Sequence, residues 1–398
     1  MKGLYNIHNK FLIPVLFMVS LGVACTTGCE ILGSSLNESS KDAKSSNADA
    51  NKTPGASQTP GASQTPGASQ TPGASQTPGA SQTPGASQTP GASQTPGTQN
   101  TTWYVSSTGS DSAAGNSASA PLATVQKALD KIKSLYRSGK WPVGESAVIV
   151  VSGKITASSS SGPGDAMVDV SGAGNYPPII LKGDAATGGI LDAGKVSGNG
   201  RLVLYIGNNK VTLGDKLVLT GGRSLWGGAV RIGTHASESE GEFVMDGGEI
   251  RGNSSGSGGA VMIYKGSMSM LAGLITDNNN DFNHNDGYAG GVYVQNGTYF
   301  IMSGGKIEKN GGVKTEKGGG LFIDGDSHAY LTGGEITGNE SASAGGGVHV
   351  VSMGNFTMNG GSISGNTSAA GGGVSLGQYG AVFNKLGGLV TGNTPNDY

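Results

Sequence analysis

Four stretches of one chain read almost alike: "MDGGEIRGN" (245–253), "MSGGKIEKN" (302–310), "LTGGEITGN" (331–339) and "MNGGSISGN" (358–366). No other feature constrains the fold as strongly, because an internal repeat decides the architecture before any single motif does. The block G-G-x-[IV]-x-x-N ends at Asn253, Asn310, Asn339, Asn366 and Asn393, and an Ala-Gly version ends at Asn278. Successive Asn residues are 25, 32, 29, 27 and 27 residues apart. A second block, Gly-Gly plus an aliphatic residue, keeps step with it at Gly227, Gly258, Gly290, Gly319, Gly346 and Gly372. Alternating pairs such as Phe243 and Met245, Met268 and Met270, Phe300 and Met302, or Phe356 and Met358 precede most copies and read as strands.

A unit of this size with about three short strands cannot bury an apolar face alone, but it can when stacked on a copy of itself. Each strand then pairs with its equivalent roughly 4.8 Å along the axis, so like side chains lie over one another. The expected fold is all-β: a right-handed parallel β-helix of about ten coils over residues 145–398, on the order of 45 to 50 Å long. Ile250, Ile275, Ile307, Ile336, Ile363 and Val390 would form an interior column. The glycine pairs would turn corners too tight for a Cβ. The Asn residues would take left-handed turns and pass amide hydrogen bonds between coils. The last copy, "AVFNKLGGLV", puts Lys385 where an inward Met is expected, which suits a modified end coil.

The repeats occupy about 221–398 of a domain spanning 103–398. At its start Leu122, Val125, Leu129, Ile132 and Tyr136 recur at helical spacing, predicting a capping helix over about 121–138. Ser119 and Pro121 stand as cap and first-turn proline, and Gly139 ends it. Such a helix covers an open strand edge or core end.

The preceding chain has a different composition. Residues 1–29 read as an export signal, with Lys2 and Lys10 flanking the start and an apolar run from Phe11 to Ala24 too short to span a membrane comfortably. Both cysteines, Cys25 and Cys29, follow it, which leaves the folded part without a thiol. They resemble the lipidated cysteine of bacterial lipoproteins. Cys25 has Leu21 four residues before it, and Cys29 follows "TTG", so either is a lipidation candidate; a cleaved secreted protein and an uncleaved anchor are the alternatives. Residues 30–102 form a linker in which "TPGASQ" runs seven times from Thr53. No charge occurs between Thr53 and Thr102, and the tract has too few apolar side chains to offset ordering entropy, predicting a disordered tether spanning about 45 Å.

The "GGAV" at 227 and 258, "GGVY" at 290, "GGLF" at 319, "GGVH" at 346 and "GGVS" at 372, paired with I-x-x-N, resemble the G-G-A-[ILV] and F-x-x-N repeats of polymorphic outer membrane proteins. "WYVSSTGSDSAAGNSASAPLATVQKAL" is similar to the start of pectate-lyase-like β-helix domains. The resemblance implies a right-handed parallel β-helix on a bacterial surface and a role in adhesion. Autotransporting members carry a C-terminal membrane barrel and this sequence ends after its last repeat, so attachment is expected through the N-terminal lipid, to an outer membrane or cell surface.

Composition and motifs narrow the chemistry further. A net charge of −2 with 13 % charged residues gives no basic field for nucleic acid. No complete dinucleotide or phosphate-loop fingerprint occurs. Polysaccharide cleavage on a β-helix needs clustered carboxylates. The weak catalytic candidates are Asp324 and Asp326 in "FIDGDSHAY", near His328, for which an exposed turn is the plainer reading. The stretch "TDNNNDFNHNDGYAGG" (276–291) offers Asp277, Asp281, Asp286 and Tyr288 as ligand or Ca²⁺ candidates, although its Gly and Glu spacing fails the calcium-loop pattern. Tyr264, Tyr288, Tyr293, Tyr299 and Trp226 are either a stacking surface for sugars or core. The sequence therefore predicts a surface-anchored binding protein for glycans or host matrix proteins, with no resident cofactor. A lyase or hydrolase of the β-helix type and a passive coat are the alternatives.

Overall fold

The chain divides into the units Met1–Gln88 and Thr89–Tyr398. The computed structural model describes residues 100–157, 166–172, 174–195, 200–233, 240–281 and 287–398, all within the second unit. Cys25, Cys29, Asp286 and nearly all of the 30–102 tract lie outside the described residues.

The described residues from 100 to 398 form a right-handed parallel β-solenoid of about eight turns. One face stacks eight strands, 166–170, 200–206, 230–232, 261–263, 292–294, 321–323, 348–350 and 374–376, each parallel to the next. The count falls short of the expected ten because the early turns are longer: Val168 already pairs with Leu204. A second face stacks Gly241–Arg251, Gly266–Thr276 and the short strands that follow.

Register follows from side-chain identity. Ile250 pairs with Ile275, Ile275 with Ile307, Ile307 with Ile336, Ile336 with Ile363 and Ile363 with Val390. The five isoleucines are at most 1 % exposed. Two further columns stand beside them, one through Phe243, Met268, Phe300, Ala329 and Phe356, the other through Met245, Met270, Met302, Leu331 and Met358. Burying an Ile or Phe fully contributes roughly 1.5–3 kcal/mol, so a one-residue slip, which would turn every column outward, is strongly disfavoured. Lys385 faces Met358 across the last rung and is exposed, as the altered end repeat predicts.

The asparagines form a continuous buried ladder. In each step the Nδ2 of one Asn donates to the Oδ1 of the next, from Asn253 through Asn278, Asn310, Asn339 and Asn366 to Asn393, at 2.9–3.1 Å. Asn393 donates in turn to the Asp397 carboxylate at 2.8 Å, which substitutes for the missing next amide. The left-handed conformation belongs to the residue before each Asn: Gly252, Asp277, Lys309, Gly338, Gly365 and Gly392 have φ between 53° and 66°. Asn itself is retained for its amide, which both accepts and donates where water does not reach.

The helix runs from Val125 to Arg137, starting later than predicted. Thr124 is its N-cap, accepting from Lys127 N at 3.2 Å, and Asp111 fixes that cap by accepting from the Thr124 hydroxyl at 3.0 Å. Leu122 instead bridges to Val105. Val125, Ala128, Leu129 and Ile132 are buried against strands 102–106, 147–156 and 166–170, so the helix covers the N-terminal end of the core. Among the described residues no helix is long and apolar enough to cross a membrane.

Candidate ligand-binding groove

Along each late turn a short strand (254–257, 287–288, 315–317) meets a Gly-Gly corner and continues into the V-x-V strand. The residue that opens the corner has positive φ (Gly258, Ala289, Gly318 and Gly345), and at the glycines a Cβ would strike the x residue: at Gly318 it would lie 2.9 Å from Phe322 Cβ, and at Gly345 2.7 Å from His349 Cβ. The corner thus brings the outer sides of both strands together. The ring of Tyr288, just before one corner, stacks on Phe322 of the next turn with centroids 4.8 Å apart.

The x residues form an outward column, Arg231, Met262, Tyr293, Phe322, His349 and Ser375. An outward position in an alternating strand is normally wet, yet Met262, Tyr293, Phe322 and His349 are at most 5 % exposed. Met262, Tyr293 and Phe322 make, with Ala289, a second apolar cluster outside the main core, against which Tyr264, Tyr288 and Val351 pack. Tyr293 meets Phe322 edge-on at 5.1 Å, and Phe322 lies 5.5 Å from His349.

Above this cluster opens a cleft of about 500 Å³ lined by Tyr288, Lys317, Phe322, Asp324, His349, Val351, Ser352, Gly377, Gln378 and Tyr379. Tyr293 donates its hydroxyl proton to Asp324 at 3.1 Å, and burial together with that carboxylate raises the phenol pKa well above its ordinary value. Burial, and secondarily the Lys317 charge, push the His349 imidazole down to about 4, so it is neutral at physiological pH. Its Nδ1 has no hydrogen-bond partner among the described residues. Ring faces, one carboxylate, one ammonium, an amide and a hydroxyl in one recess can hold a neutral polyhydroxylated molecule by stacking and paired hydrogen bonds.

The sequence candidates separate into four places. Asp324 and Tyr288 come together in this cleft, and Tyr293 and Tyr264 support it. Asp326 is a turn residue with φ 59° and does not line it. His328 lies on another face, stacked on half-exposed Tyr299 at 5.3 Å. Asp277 and Asp281 share a separate recess of about 190 Å³ with Lys195, Arg223 and Asn279, where Lys314 pairs with Asp281 at 3.1 Å. Among the described residues no group of three or more His, Asp or Glu side chains gathers that could hold a metal ion, and Asp286 lies outside them.

Phe322, His349, Lys317, Gln378 and Tyr379 were missed by the sequence reading. The available signal was the x of V-x-V, apolar or aromatic in consecutive copies where alternation calls for a polar residue. No protein-family model matches the chain, and neither does any curated protein or solved structure.

Proposed function

We propose that the chain is an exported, lipid-anchored protein of a bacterial cell surface whose β-solenoid binds glycans in the aromatic cleft between Tyr288 and Tyr379. The cleft carries this reading: Tyr288, stacked on buried Phe322, presents a ring backed by aromatic packing, and Asp324, Lys317 and Gln378 offer acceptors and donors around it. The apolar run ending at Cys25 and Cys29 supplies an anchor, and the TPGASQ tract supplies a spacer. The likeness of the G-G-A-[ILV] blocks to polymorphic outer membrane proteins supports surface display and adhesion.

Binding is favoured over glycoside hydrolysis because hydrolysis uses two carboxylates, and Asp324 is the one carboxylate among the described residues that line the cleft. The test is retention of the purified full chain on a glycan array, followed by titration of any hit against Asp324→Ala. Retention that falls at least about tenfold in the variant, with no new reducing or unsaturated sugar ends, fits the reading. A silent array sinks it, and release of sugar ends replaces binding by catalysis.

A further inference from the structure

The solenoid contains its own comparison set. At the ends of the last four V-x-V strands the chain reverses through two consecutive residues with positive φ: Asn296–Gly297, Gly325–Asp326, Ser352–Met353 and Tyr379–Gly380. The four turns are hydrogen-bonded in sequence. Gly297 N donates to Gly325 O at 2.8 Å, Asp326 N to Ser352 O at 3.1 Å, and Met353 N to Tyr379 O at 2.7 Å. This turn geometry suits Gly, Asn and Asp. The first two turns obey that rule. The third uses Ser and Met at φ 50° and 63°, and the fourth places Tyr at 67°.

Bulky residues in the left-handed region are strained, and such strain persists where function retains it. Here the exceptions sit at the cleft. Ser352 and Tyr379 line it, Met353 adjoins Ser352, and Met353 and Tyr379 are 62 % and 79 % exposed. Packing therefore gives no reason for these side chains. Folding alone would be served better by glycine at each position.

Resting on the glycan-binding reading above, we infer that Ser352, Met353 and Tyr379 form a selecting lip for a neutral glycan carrying N-acetyl groups. An acetamido group needs an apolar seat for its methyl and polar partners for its N–H and C=O. Val351 and the ring of Tyr288 supply the first, and Gln378 and Ser352 the second, within one recess. The single carboxylate of Asp324 and the single ammonium of Lys317 balance one another among the described lining residues, which leaves no net field to draw in a charged sugar and suits a neutral one.

Chitotetraose and cellotetraose share a β-1,4 backbone and differ in the 2-acetamido group, so calorimetric titration of the full chain with both reads the inference directly. Chitotetraose is expected to bind at least about tenfold more tightly. The double variant Ser352→Gly/Met353→Gly, and separately Tyr379→Gly, should melt about 2–4 °C higher per relieved residue while losing at least about tenfold in chitotetraose affinity. A stabilised protein with weakened binding is a result that a merely structural lip would not give. Equal affinity for the two sugars, undiminished binding in the variants, or a lowered melting temperature would each overturn the lip. If other glycans bind without preference for acetylated forms, the lip fails and glycan binding stands; if no glycan binds, both fail.

Discussion

At the scale of single residues, His349 is the group whose chemistry the fold changes most clearly. It occupies an outward position, yet it is covered by Phe322 and by the strand that follows it, with Lys317, Asp324, Tyr288 and Tyr379 around the same cleft. Its folded pKa of about 4 lies below the ordinary 6.5. Above pH 6.5 the imidazole is neutral in both states and makes no difference to stability. Between 6.5 and 4 the unfolded chain takes up a proton that the folded one refuses, so stability falls with pH, by up to about 3 kcal/mol. His349→Phe extends the aromatic column and removes this slope. Urea unfolding of both proteins at pH 7, 5.5 and 4.5 should give curves that diverge toward acid, and parallel curves would mean that the imidazole is not held neutral. The sequence pointed to His328 beside Asp324, because neighbours along a chain are visible there. The proximity of His349 depends on stacking one turn above Phe322, and no local pattern encodes it.

The Gly-Gly corner is the element that converts a repeat into a groove. Its need for positive φ was legible, since two adjacent glycines before a strand have few other uses. The direction of the bend was not, because identical glycines turn a chain toward or away from its core. Two substitutions separate conformational strain from collision. Gly392 has φ 66° with nothing within 4 Å of an added Cβ, so Gly392→Ala should cost about 1 kcal/mol. Gly345 has φ 65°, but a Cβ there would lie 2.4 Å from Val348 O and 2.7 Å from His349 Cβ. Gly345→Ala should therefore cost at least about 3 kcal/mol, since backbone in the corner must move. Equal losses in denaturant melts would reduce the corner to a dihedral preference and remove the close approach from the account of the groove. The helix shows a similar division. Its buried face at Val125, Leu129 and Ile132 was readable from spacing, whereas its start was set by the distant Asp111 fixing Thr124.

Over the whole molecule, stability in a solenoid is distributed, each turn contributing its own burial and its interfaces with two neighbours. Turns should then be removable wherever the cut joins equivalent positions. Asn253 and Asn278 are such a pair, 25 residues apart, as are Asn339 and Asn366, 27 apart. Deleting 254–278 joins Asn253 to Asn279, which already pairs laterally with Ser254, and it keeps every described residue lining the cleft, with Arg231 taking the register position of Met262 beneath it. Deleting 340–366 joins Asn339 to Thr367, which pairs with Glu340, and it removes His349, Val351 and Ser352. Both shortened chains should keep the β-type circular dichroism spectrum and a cooperative melt, because the isoleucine and asparagine columns close over the gap in register. The first should retain any glycan affinity of the full chain, and the second should lose it. The repeat that made the fold readable is thus the part of the sequence that says least about ligands, since scaffold positions recur while cleft positions differ from turn to turn. A collapse of both deletions into aggregates would show that the turns are not interchangeable units, and binding by the second would place the glycan site outside the Tyr288–Tyr379 cleft.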